Sequence, residues 1–160
     1  MSITITTKIN GHSVTATADA STSLLEFLRD TLEMKGSKLC CNTGECGACT
    51  VIYNGKPINS CVTMAADANG AEITTIEGLA DGDKLHPVQQ AFIDTGAVQC
   101  SYCTPGFIMS VKALFDRTKK PTAQDIEEAI SGNICRCTGY NKIVDAIQLA
   151  LASAPAEMTA

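Results

Sequence analysis

The sequence predicts an α+β chain in two halves: a small sheet with a helix packed across it, then an all-helical half. Three observations carry this. Two Asn-Gly dipeptides interrupt apolar, strand-like runs in the first half. Capping residues followed by apolar positions at helical spacing fill the second half. Each half also carries four well-spaced cysteines, in two different spacings.

Ile3, Ile5 and Ile9 alternate with polar residues up to Asn10-Gly11, and Val14 follows. A type I′ turn needs positive φ at both central residues, so this reads as a hairpin. Ser23 with Glu26 forms the pattern of a capping box, and Leu24, Leu25, Leu28 and Leu32 make an apolar stripe behind it. Thr50–Tyr53, Asn54-Gly55 and Lys56–Ile58 read as a second hairpin, and Ile73–Ile76 as one more strand. In the second half the candidate helices are Pro87–Ile93, Pro105–Arg117, one opened by Thr122 with Asp125, and Asn141–Ser153. Thr104 is read as the cap of the second of these, with Pro105 in its first turn. Gly78–Lys84 is the expected join, giving a first domain over 1–77 and a second over 78–160.

Composition bounds the function. The chain has 160 residues and a net charge of −5, with only 12 Lys and Arg. It has no basic run to release counterions from a phosphate backbone, so nucleic acid is not an expected partner. The N-terminus lacks a basic start followed by an apolar core, and the longest apolar stretches are too short to span a bilayer. A cytoplasmic protein is expected, without direct membrane insertion, or one exported only with a partner that carries a signal. In a reducing compartment, tightly spaced cysteines are metal ligands more often than disulfides. Aromatic residues make up 4 % of the chain, too thin a core for two lobes without added stability from bound metal or partner chains.

Cys41, Cys46 and Cys49 follow the C-x4-C-x2-C spacing of plant-type 2Fe–2S ferredoxins, and Cys61 comes after eleven more residues. Three thiolates on one tight loop must point at a small inorganic core, and Gly44 and Gly47 give the backbone that freedom. Zinc is the alternative, but zinc sites more often pair two knuckles or add histidine, and His12 and His86 lie far away in sequence. Cys40 is one residue out of register and reads as a spare, small buried residue. The second set is Cys100-x2-Cys103 and, thirty-one residues later, Cys135-x-Cys137. Each pair directly precedes a candidate helix, so a cluster between two helix N-termini is expected.

Cys41–Val51 (CNTGECGACTV), Gln99–Gly106 (QCSYCTPG) and Gly132–Tyr140 (GNICRCTGY) closely resemble the small iron–sulfur subunit of molybdenum hydroxylases. That family includes xanthine dehydrogenases, aldehyde oxidoreductases, carbon monoxide dehydrogenase and hydroxylases of N-heterocycles. The resemblance implies a β-grasp, ferredoxin-like first domain and a four-helix bundle of approximate two-fold symmetry as the second. It implies that Cys41, Cys46, Cys49 and Cys61 hold an outer 2Fe–2S cluster, nearer a flavin. Cys100, Cys103, Cys135 and Cys137 would hold an inner one, nearer molybdenum. Gln99 and Cys137 match positions that contact the pterin of the molybdenum cofactor. A molybdenum-cofactor subunit and a flavin (FAD) subunit are the implied partners. Ser101 and Cys40 stand where the family usually has Gly.

No dinucleotide fingerprint or nucleophile–base pair is present, so the substrate chemistry is expected on a partner subunit. Two rival readings are a free-standing two-cluster ferredoxin and a structural zinc module.

Overall fold

The computed structural model describes residues 1–153, so the predicted second domain's end at 160 lies outside the described residues. Five strands, β1 (Ser2–Ile9), β2 (His12–Asp19), β3 (Thr50–Tyr53), β4 (Lys56–Asn59) and β5 (Glu72–Thr74), form one mixed sheet in the order β2-β1-β5-β3-β4. β1 and β5 run parallel, and the other neighbours are antiparallel. Both hairpins turn where the Asn-Gly pairs predict. Asn10 and Gly11 have φ of 50° and 83°, and Asn54 and Gly55 have 47° and 78°.

Ser23 caps α1 (Leu24–Glu26), and its hydroxyl and Glu26 exchange hydrogen bonds as a capping box. The helix then widens into a π-turn over Phe27–Thr31. Leu24, Phe27 and Leu28 enter the core of the sheet beside Ile5, Ile9, Val51 and Ile73. Leu25 leaves that stripe and packs instead on Cys49 and Cys61.

The second half contains α2 (Pro87–Asp94), α3 (Thr104–Arg117), α4 (Ala123–Ile130) and α5 (Asn141–Ser153). Their core gathers Phe92, Phe107, Val111, Ile126, Ile143 and Ile147. The Thr122–Asp125 box opens α4 as predicted, a device that contributes about 1 kcal/mol. The cap of α3 differs from the prediction. Cys103 is its N-cap and makes no side-chain capping bond, while Thr104 is already helical. A cysteine at a helix start leaves the first N–H groups free for other acceptors.

The join does not isolate the halves. Ile76 and Leu79 pack on the helical core and also beside Ile52, Met109 and Ala113, which link β3 to α3. Both loops that carry cysteines meet at this boundary.

Candidate metal centres

The first cysteine loop follows α1 and ends at β3. Gly44 and Gly47 both have positive φ, 80° and 67°, as the predicted tight loop requires. The Cys41 sulfur accepts N–H bonds from Thr43 (3.5 Å) and Cys46 (3.4 Å). The Thr43 side chain first, then these N–H bonds, lower the Cys41 thiol pKa to about 5. Cys49 and Cys61 are buried together under Leu25, where burial, then the neighbouring Cys49, pushes the Cys61 thiol up to about 11. Cys61 reaches the loop from the short 3₁₀ turn Ser60–Val62 after β4. The Ser60 hydroxyl donates to the Cys49 carbonyl at 2.7 Å, and the Asn59 amide to the Gly44 carbonyl at 2.5 Å.

Cys40 corrects the expectation of a buried spare. It is exposed and lies beside Cys46, whose thiol pushes the Cys40 pKa up. Cys41, not Cys40, receives the loop's N–H groups, so the register that begins at Cys41 is the one the backbone supports. Cys40→Ser should therefore leave the visible iron–sulfur spectrum and the iron content unchanged. Loss of half the iron in that variant would show that the register starts at Cys40.

In the second set, Cys100 and Cys137 have their sulfurs 3.6 Å apart. Cys103 and Cys135 form the other pair, and burial, then Cys135, pushes the Cys103 thiol up to about 12. Burial opposes ionisation of Cys135, but four hydrogen bonds outweigh it and lower its pKa. They come from the Thr138 hydroxyl (3.1 Å), the Thr138 N–H (3.4 Å), the Cys137 N–H (3.4 Å) and the Cys103 thiol. Expected helix N-termini supply only part of this. Cys103 begins α3, but Cys135 and Cys137 precede α5 by a separate turn, and that turn donates the N–H groups. Tyr140 closes the turn with φ 69°, accepts the Cys135 N–H at 3.1 Å and sets its ring edge-on to Phe107.

Ser101 occupies a left-handed position, φ 64°, which explains why glycine suits it. Its hydroxyl donates to the Cys100 carbonyl at 2.6 Å and not to a sulfur. Gln99, Cys100, Arg136 and Cys137 are all exposed, and the Cys100–Cys137 contact brings these two segments to one surface. Glu45, beside the first set, is exposed, between half-buried Gly44 and Cys46. Among the described residues, no three His, Cys, Asp or Glu side chains surround a single point. Cys49 meets Cys61, Cys100 meets Cys137 and Cys103 meets Cys135, while Cys46 lies against both Cys40 and Cys41. Leu25, Thr138 and Asn133 are the functional neighbours that spacing alone does not single out. Thr138 and Asn133 lie inside the cysteine motifs, but their partners are set by tertiary contacts.

Thiols gathered on N–H-rich turns suit iron–sulfur chemistry, and comparison with known proteins places the chain in that class. Residues 7–75 match the 2Fe-2S iron-sulfur cluster binding domain, and residues 75–148 match the 2Fe-2S binding domain of a second family. The chain belongs to the family of small iron–sulfur subunits of molybdenum hydroxylases, and it is an electron-transfer subunit of an oxidoreductase. It is similar to the nicotinate dehydrogenase small FeS subunit of Eubacterium barkeri, 45 % identical over 93 % of this chain and 95 % of that one. The nicotine 6-hydroxylase small subunit of Paenarthrobacter nicotinovorans is 43 % identical, covering 91 % of this chain and 87 % of its own. Among solved structures, quinoline 2-oxidoreductase from Pseudomonas putida 86 superposes with a TM-score of 0.90 at 35 % identity, over 94 % of both chains.

Proposed function

We propose that the chain relays single electrons from a molybdenum–pterin cofactor on a partner subunit to a flavin or external acceptor, during hydroxylation of a purine, N-heterocycle or aldehyde. Cys41, Cys46, Cys49 and Cys61 hold the outer 2Fe–2S cluster, and Cys100, Cys103, Cys135 and Cys137 the inner one. A 2Fe–2S cluster supplies one-electron steps, which divide a two-electron oxidation. The Cys100–Cys137 and Cys103–Cys135 pairs of the inner set support a two-iron core, with two thiolates for each iron, over a single tetrahedral zinc ion. Depressed Cys41 and Cys135 pKa values favour the thiolate form that a metal requires.

The observation that carries the partner assignment is the exposed surface shared by Gln99, Cys100 and Cys137. An inner site open to solvent in the isolated chain is suited to a docked pterin, with Gln99 and Cys137 in contact. The domains follow as a β-grasp ferredoxin-like unit over 1–77 and a helical unit from 78, whose four helices form a two-fold bundle. We place the complex in the cytoplasm. Among the described residues no helix is long and apolar enough to cross a membrane.

Low-temperature electron paramagnetic resonance with iron counting on the dithionite-reduced native complex tests this. Two distinct 2Fe–2S signals with roughly four irons per chain are expected. Co-purification with a molybdenum subunit separates this reading from a free-standing ferredoxin. Gln99→Ala should keep both signals and lower turnover of the assembled enzyme roughly tenfold, the loss expected of one hydrogen bond of about 1.4 kcal/mol. Unchanged turnover would remove Gln99 from the pterin site.

A further inference from the structure

Asn133 lies in the inner-site motif, two residues before Cys135, yet its side chain turns away to the other loop. Its amide nitrogen donates to the Gly47 carbonyl at 2.9 Å, and its amide oxygen accepts the Ser110 hydroxyl at 2.7 Å. A carbonyl can only accept, so the amide orientation is fixed by Gly47. Asn133 is buried, 4 % exposed. The backbone beside it makes a second link, with the Ile134 N–H donating to the Cys46 carbonyl at 3.0 Å. Gly106, in the first turn of α3, lies so close that a Cβ there would sit 2.1 Å from the Gly47 oxygen. Residues from both inner-site motifs thus grip the Cys46–Gly47 backbone.

The Gly47 carbonyl takes three donors: Asn133, the Thr50 hydroxyl at 2.7 Å and the Thr50 N–H at 3.1 Å. In a trans peptide the C=O and N–H point opposite ways. Fixing this carbonyl therefore aims the Ala48 N–H away from Asn133. Ala48 is 3 % exposed, and its N–H has no acceptor among the described residues. A buried N–H needs an acceptor. Ala48 sits between Cys46 and Cys49, and in this loop sulfur already accepts the Cys46 N–H.

We propose that Asn133 is a positioning residue for the outer site: by holding the Gly47 carbonyl it orients the Gly47–Ala48 peptide toward the outer-cluster sulfur and so raises that cluster's reduction potential. Hydrogen bonds to sulfur stabilise the reduced, more negative form. The inference rests on the cluster assignment above and adds that a residue of one motif tunes the other site.

Potentiometric titration of both paramagnetic signals in the intact complex tests it, with the outer signal assigned as the one lost in Cys49→Ser. Asn133→Ala should lower the outer midpoint potential and leave the inner one unchanged, although Asn133 is far nearer the inner ligands in sequence. Ser110→Ala, a milder change that loosens Asn133 from its other side, should move the outer midpoint the same way by less, and it reads the effect if Asn133→Ala does not fold. Asn133→Leu keeps the size and removes both donor and acceptor, so it should lower the outer midpoint as Asn133→Ala does. Movement of the inner midpoint alone, equal movement of both, no movement, or a wild-type outer midpoint in Asn133→Leu would each overturn the proposal. Wild-type protein that lacks two signals would instead overturn the cluster assignment itself.

Discussion

Cys49→Ser should abolish the outer paramagnetic signal and lower the iron content from about four to about two per chain, leaving the inner signal in place. Cys49 is 3 % exposed and shares its pocket with Cys61 and Leu25. A serine there would have to ionise a hydroxyl in a pocket that already pushes its thiol neighbour up to about 11. Hydroxyls are far weaker acids than thiols, so the oxygen stays protonated and makes a poor metal ligand. The backbone is anchored apart from the sulfur, because the Cys49 carbonyl accepts the Ser60 hydroxyl at 2.7 Å. The inner set takes all four thiols from other elements. Iron counting and electron paramagnetic resonance on the same sample check the result. Loss of both signals from a folded variant would refute the division into two sites.

Features governed by short-range chemistry were legible in the sequence. The Asn-Gly turns and the Ser23 and Thr122 capping boxes each depend on residues within three positions of one another, and all stand where the pattern puts them. Family membership was legible as well, since the three cysteine motifs are local strings in a fixed order. Contacts between distant segments were not. Nothing in the spacing says that Leu25 leaves its helical stripe to cover Cys49, or that Asn133 reaches across 86 positions to Gly47. Cys40 departs from expectation for a related reason. Cysteine is usually buried, but this one is exposed, and the loop's N–H groups go to Cys41 instead. The π-turn at Phe27–Thr31 also escapes periodicity, because one extra residue per turn shifts the apolar stripe without erasing it.

Gly47→Ala should be the most damaging of the loop glycine substitutions, and comparison with two sister glycines separates its causes. Gly55 has φ 78° at the tip of the second hairpin, and an added Cβ would meet nothing within 4 Å. Gly55→Ala therefore reports the left-handed backbone cost alone, about 1–2 kcal/mol. Gly44 has φ 80°, and its Cβ would come to 3.2 Å from a methyl of Val62, a side chain that is 58 % exposed and free to give way. Its cost should barely exceed that of Gly55. Gly47 has φ 67°, and its Cβ would lie 2.3 Å from the Gly132 carbonyl and 2.4 Å from the Asn133 amide nitrogen. Neither can retreat: the first is backbone, and the second is held by Ser110. Overpacking of this kind adds about 1–3 kcal/mol, and the Asn133–Gly47 bond is lost with it. Gly47→Ala should thus unfold at a lower denaturant midpoint than Gly55→Ala by the equivalent of about 2 kcal/mol, and it should lose the outer signal before the inner one. Equal midpoints for the two variants would mean that the halves do not press together at Gly47. A lower midpoint with the outer signal intact would mean that the contact supports the fold but not the site.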